Sequence, residues 1–128
     1  MMIIERALFE PVIDNTGMEQ AILSAQGLRY EIGERTILDD VDLTVSAGQA
    51  VAITGPSGAG KTTLLMCLAG LVKPIRGHVH VNGQEITGRK PAQQARIRLR
   101  HIGIVYQFGE LMPELTPLEN VALPAQLA

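Results

Sequence analysis

Hydrophobic and polar positions divide the chain into a run of alternating segments and two segments that do not alternate. Residues 22–30 and 36–45 carry short apolar, β-branched stretches separated by the turn-forming Gly33-Glu34-Arg35. In the second stretch Val41, Leu43 and Val45 alternate with Asp42 and Thr44, so one face points inward and the other meets water. This predicts an antiparallel, half-exposed sheet. Past Ala47-Gly48-Gln49 the pattern changes: Ala50-Val51-Ala52-Ile53-Thr54 is apolar without alternation, as a central parallel strand covered on both faces should be. Residues 62–69 predict a helix, with Leu64, Leu65, Leu68 and Leu71 at helical spacing and Gly70 and Pro74 as the stop. His78-Val79-His80-Val81 alternates as a strand, Asn82-Gly83 is a strong two-residue hairpin turn, and Gln84-Glu85-Ile86 begins the return. Residues 91–100 predict a second helix. Residues 101–106 repeat the buried-strand pattern through Ile102, Ile104 and Val105. Thr116-Pro117-Leu118-Glu119 combines a capping box with Pro at the first helical position, so a last helix should start there and run through Val121, with Pro124 bending or ending it.

Between the apolar strand and the first helix lies Gly55-Pro56-Ser57-Gly58-Ala59-Gly60-Lys61-Thr62-Thr63, which satisfies G-x-x-x-x-G-K-[ST] at every fixed position. With Gly near 7% of ordinary usage, that coincidence arises by chance in roughly one chain of this length in a few hundred. The strand and helix on either side supply the context the motif requires. Gly55, Gly58 and Gly60 let the backbone turn tightly with its N–H groups inward, so loop and helix N-terminus together cradle a polyphosphate. Lys61 would reach the β- and γ-phosphates as a point charge, and the Thr62 hydroxyl would help hold a Mg²⁺ that keeps most of its waters. A Gly-rich turn without a ligand is the competing reading.

Composition adds limits. At 128 residues there is room for one ordinary domain and not two. The longest apolar run, near residues 64–72, falls well short of a membrane span. A formal net charge of −2 gives no broad electrostatic reason to expect nucleic acid. The single cysteine, Cys67, fits a reducing compartment and reads as a small buried apolar residue of the first helix. Aromatic residues make up 3%, so any aromatic near a nucleotide stands out. Residues 1–16 show neither a sustained period nor the basic start and cleavage site of a secretion signal. Met18 leads smoothly into the patterned region, which suggests a tail or misplaced start over 1–17 and one domain over 18–128. His78 and His80 share a strand face but lack a third ligand at useful spacing, and read as surface histidines. The basic run Arg89, Lys90, Arg96, Arg98, Arg100 reads as a solvated helix face, with docking of a partner or of anionic lipid headgroups as the alternative.

Taken in order, Tyr30, the loop from Gly55 to Thr63, Gln107 with Leu111-Met112-Pro113-Glu114-Leu115-Thr116, and Glu119-Asn120-Val121 resemble the nucleotide-binding subunit of ABC transporters, from about Ile22 onward. Tyr106-Gln107-Phe108 and the stretch Glu119-Asn120-Val121-Ala122-Leu123-Pro124 look most like its lipoprotein-release and macrolide-efflux branch. The resemblance implies an α/β fold: an incomplete P-loop NTPase core with an antiparallel β subdomain of ABC-ATPase type. It implies that Tyr30 stacks on the adenine of ATP. Gln107 would reach Mg²⁺ and the attacking water, an uncharged amide suiting a sensor of the membrane partner. It also implies transmembrane permease subunits and a second ATP-binding subunit as partners, a cytoplasmic location on the inner face of the membrane, and no nucleic acid.

The family pattern continues into a Leu-Ser-Gly-Gly-Gln signature, an apolar strand ending in Asp followed by a catalytic Glu, and a switch histidine, none of which the sequence contains. The expectation is therefore ATP binding with little hydrolysis, marginal stability, and an exposed apolar edge where the acidic strand would pair. A soluble P-loop kinase, or a non-catalytic nucleotide-binding remnant, stands as the alternative.

Overall fold

The computed structural model describes residues 21–109 and 111–126. The proposed tail over 1–17 and the start at Met18 lie outside them. Four strands form one antiparallel sheet: β1 (Ala21–Ile32), β2 (Arg35–Ser46), β3 (Arg76–Val81) and β4 (Gln84–Glu85), in the order β2-β1-β3-β4. Helix α1 (Lys61–Leu68) follows β2, α2 (Pro91–His101) follows β4, and α3 (Pro117–Gln126) comes last.

The alternating segments fold as their pattern dictates. Along β1, Leu23 and Ala25 are buried two residues apart, and the next buried residue is Leu28. The register shifts between Ala25 and Leu28, and this bulge moves the inward phase by one residue. Gly27 N–H donates to Asp42 Oδ1 at 2.7 Å there. Across from it β2 makes the matching shift through Asp40, a non-glycine residue at φ 53°. Gly77 in β3 passes so close that a Cβ would lie 2.6 Å from the carbonyl oxygens of Gln26 and Gly27, at φ 97°. Glycine is required at that crossing. At the hairpin tip Asn82 (φ 46°) and Gly83 (φ 72°) adopt the left-handed pair that the dipeptide predicts.

Helices α1 and α2 pack against this sheet, while α3 contributes no buried residue. Leu64, Cys67 and Leu68 of α1 and Ile97 of α2 close the core with Leu28, Leu38, Val45, Val79, Val81 and Ile86. Helix α1 ends in a Schellman motif, Leu71 N–H on Met66 O at 2.9 Å and Gly70 N–H on Cys67 O at 3.0 Å, with Gly70 at φ 63°. The capping box of α3 forms as its sequence predicts: Thr116 N–H donates to Glu119 Oε2 at 2.8 Å and Glu119 N–H to Thr116 Oγ1 at 3.3 Å. Pro124 lies inside α3 and does not end it.

Two expectations need correction. Residues 50–54 and 102–106 join no ladder, and His101 is the last residue of α2 and no part of a strand. Neither segment is buried: Val51 is exposed, Ile53 half-buried, and Val105 69% exposed. A parallel strand takes all its hydrogen bonds from strands distant in sequence, and the described residues offer these two segments no such partner.

Candidate functional site

The loop before α1 is built on three glycines in the positive-φ region, Gly55 at 152°, Gly58 at 76° and Gly60 at 88°. Ala59 N–H closes a turn on Pro56 O at 3.3 Å, and Leu64 N–H makes the first helical bond to Gly60 O at 2.8 Å. The N–H groups of the first helical turn, from Lys61 to Thr63, precede that bond and have no carbonyl within the helix to bond. No acidic side chain occupies the turn, so it presents donors and the positive end of the helix dipole to an anion. Lys61 Nζ donates to Gly55 O at 2.8 Å and Pro56 O at 2.7 Å, holding the loop closed on its own ammonium. An ammonium has three donors, so one remains for a ligand.

Gly60 also presses the loop onto the sheet. A Cβ there would stand 3.0 Å from Ile37 Cγ2 and from Ile37 O. Between β2 and the loop lies a cavity of about 180 Å³ lined by Ile37, Leu38, Asp39, Thr54, Gly60 and Lys61 among others. Tyr30 sits on β1 opposite Leu38 and packs half-buried against the core. It lines neither this cavity nor the next, so it reaches the loop only through its strand neighbour.

On the other side of α1, a second cavity of about 90 Å³ brings Thr62 and Gln107 together, walled by Leu65, Met66, Ile104 and Tyr106. The two side chains proposed for one metal, forty-five positions apart in sequence, therefore share one space. Both are exposed, as are Pro56, Ser57 and Ala59 of the loop, while Thr63 is half-buried. The roles of three residues escaped the sequence reading. Ile37 and Leu38 look like ordinary strand residues, and nothing in their pattern announces that they wall the loop. Asn120 was legible within Glu119-Asn120-Val121, without a role. Its Oδ1 accepts from Met112 N–H at 2.8 Å, and its Nδ2 lies 3.1 Å from the carbonyl oxygens of Met112, Leu115 and Thr116. One amide thus ties the segment after Gln107 to α3.

Elsewhere, His78 Nδ1 lies 2.6 Å from Glu85 Oε1, and no cluster of three or more potential metal ligands from His, Cys, Asp and Glu occurs among the described residues. No helix among them is long and apolar enough to cross a membrane.

The ABC transporter family model matches residues 38–128. Among similar proteins, the lipoprotein-releasing system ATP-binding protein LolD of Ruegeria pomeroyi is 45% identical over 119 residues, 93% of this chain and 50% of the relative. LolD of Bacteroides fragilis is 39% identical over 107 residues, 84% of this chain and 50% of the relative. The chain spans about half the length of the curated relatives it matches. Among solved structures, the dimeric bacterial ABC transporter cassette MJ0796 aligns with a TM-score of 0.75 at 35% identity, over 82% of this chain and 47% of that one. The same cassette in a post-hydrolysis state bound to ADP and Pi aligns equally well.

Proposed function

The chain belongs to the ABC transporter family, and from that premise we propose that it is the ATP-binding part of a transport subunit, coupling ATP to movement across a membrane. The observation that carries this reading is the shared cavity of Thr62 and Gln107 beside the phosphate loop. A hydroxyl and an amide oxygen are hard donors of the kind Mg²⁺ accepts while keeping several waters, and loop N–H groups with the Lys61 ammonium suit a polyphosphate. The residues therefore fit Mg·ATP. In this assignment the backbone from Gly55 to Thr63 cradles the phosphates, Lys61 neutralises them, and Thr62 and Gln107 hold the metal. The metal would screen the charge on the phosphate oxygens during phosphoryl transfer. Tyr30 would supply the adenine platform from β1, with the walls of β2 between it and the loop.

Residues 18–128 would form one such ATP-binding unit, preceded by a tail over 1–17. Partners would be transmembrane permease subunits and a second ATP-binding subunit, with the whole seated on the inner face of the cell membrane. The 128-residue chain by itself would bind ATP and hydrolyse it barely above background, since its residues offer metal and phosphate ligands but no evident base for the attacking water.

Titration of the chain with a fluorescent ATP analogue and Mg²⁺ tests the reading. Binding that weakens roughly tenfold to a hundredfold in Lys61→Ala, through loss of a charge-assisted contact, is the expected result. Unchanged affinity in that variant would overturn the site, and turnover of about 1 s⁻¹ or faster would overturn the expectation of little hydrolysis.

A further inference from the structure

We propose that the exposed face of α2 is a docking surface for an anionic phospholipid bilayer. The net charge of −2 conceals a segregation: residues 86–109 contain no Asp or Glu, while Arg89, Lys90, Arg96, Arg98 and Arg100 supply nearly half of the chain's 11 Lys and Arg. Most of the 13 Asp and Glu lie in residues 1–42.

The structure separates the inward stripe of α2 from the outward one. Ile97 is buried, Gln94 Nε2 donates to Ile86 O at 3.1 Å, and Arg98 Nη1 donates to Gly70 O at 3.0 Å. These three positions fix the helix against the body of the protein. Arg96 and Arg100, one turn apart, are exposed on the outside with Leu99 beside them, itself 40% exposed. Lys90 and Arg89 extend the basic surface past the N-terminus, where Arg89 Nε donates to Glu85 O.

Helix stability accounts for only some of these charges. Cations suit the last turn of a helix, which explains Arg98, Arg100 and His101, but Arg89 and Lys90 stand at the opposite end, where the dipole disfavours them. No acidic residue on α2 offers an i,i+4 partner to any of them. An external anion does account for them. A bilayer fits better than nucleic acid: an apolar Leu99 flanked by two arginines matches the boundary between headgroups and acyl chains, and α2 carries no Phe, Tyr or Trp on which a base could stack. Each Lys or Arg near an anionic leaflet strengthens attachment several-fold, and the effect fades beyond a Debye length.

The proposal uses no part of the phosphate loop, so it stands or falls separately from nucleotide binding. The test is co-sedimentation of the nucleotide-free 128-residue chain with vesicles of equal parts phosphatidylcholine and phosphatidylglycerol, against phosphatidylcholine alone. Binding should require the anionic lipid, weaken as salt rises, and fall by roughly tenfold or more in Arg96→Glu/Arg100→Glu. Arg35→Glu makes a smaller charge change at the exposed β1–β2 turn and should bind nearly as the parent does. Protection of Cys67 from a thiol reagent verifies folding of each variant, with Arg96→Gln/Arg100→Gln as the replacement should the reversal unfold the chain. Equal binding to neutral vesicles, equal binding by the double variant, an equal loss in Arg35→Glu, or capture of duplex DNA in preference to anionic vesicles would each overturn the proposal.

Discussion

Val79 and Val105 are the same residue, yet Val79, flanked by two histidines, is fully buried, while Val105, flanked by Ile104 and Tyr106, is 69% exposed. The difference lies in where each finds its neighbours. Val79 pairs with Ala25 of β1, distant in sequence, on one side, and on the other its carbonyl oxygen accepts from Ile86 N–H at 2.8 Å, so antiparallel neighbours flank it at both edges. Val105 follows a helix and would need a parallel partner delivered by a crossover. The sheet with α1 and α2 is held by packing, whereas the phosphate loop ahead of α1 and the segment after Gln107 rest on a few specific hydrogen bonds. The residues proposed to hold the nucleotide lie on the less buried side, where loops and segment ends present donors to a ligand.

The largest expected effect measures this contrast directly. Leu28→Ala, at a fully buried site, should cost about 3–4 kcal/mol, whereas Val105→Ala should change stability by less than about 0.5 kcal/mol. Cys67 serves as the reporter. It is buried, and burial pushes its thiol up to about 11, so reagents should reach it only on opening of the core. Equal acceleration of Cys67 labelling by the two substitutions would show that the halves are one cooperative unit.

A smaller effect belongs to the junction. Gly60→Ala introduces a Cβ 3.0 Å from the Ile37 carbonyl oxygen at φ 88°, which should cost about 2 kcal/mol. Because Gly60 joins the loop to β2, both ATP-analogue binding and urea stability should fall together. A loss of stability with binding intact would mean that the loop keeps its shape without its seat on the sheet.

How far the sequence disclosed this architecture follows the same division. The alternation of Val41, Leu43 and Val45, the Asn82-Gly83 turn and the Thr116–Glu119 box are local signals, and each element formed where they placed it. The bulge phases of β1 and β2 were not legible, because Gln26-Gly27 and Asp39-Asp40 disturb the alternation only in combination with each other. Residues 50–54 and 102–106 had the composition of buried strands, but burial is a property of neighbours that composition does not contain. For the site, the loop was legible from spacing alone. The pairing of Thr62 with Gln107 came through family resemblance, and the structure adds the cavity that joins them. The seat on Ile37 and the Asn120 tie required coordinates, since each depends on a backbone atom distant in sequence.

Asn120→Ala sharpens the comparison within the less buried half. Its amide satisfies backbone groups of Met112, Leu115 and Thr116, so its loss should free that segment at a local cost of about 1–1.5 kcal/mol. Faster hydrogen exchange at the Met112 N–H with unchanged Cys67 labelling is the expected pattern. Unaltered exchange at Met112 would show that the segment is ordered by something other than this side chain.

The smallest effect separates the halves by acid. Hydrogen bonds from the Thr116 hydroxyl and backbone N–H hold the Glu119 carboxyl below its ordinary range, and the bond to His78, with that from Thr87, does the same for Glu85. A carboxyl whose folded value is depressed contributes its stability fully above the unfolded value and loses it as pH falls through the folded one. Both elements should therefore weaken below the ordinary carboxylate range, but through different reporters. The Thr116 amide resonance should follow Glu119, and the His78 ring resonance should follow Glu85. Glu119→Gln should abolish the first titration and leave the second in place, because the α3 cap and the β3–β4 hairpin share no hydrogen bond among the described residues. A Thr116 titration with an ordinary carboxylate midpoint would mean that the box does not persist in solution, and the start of α3 would then rest on Pro117 alone.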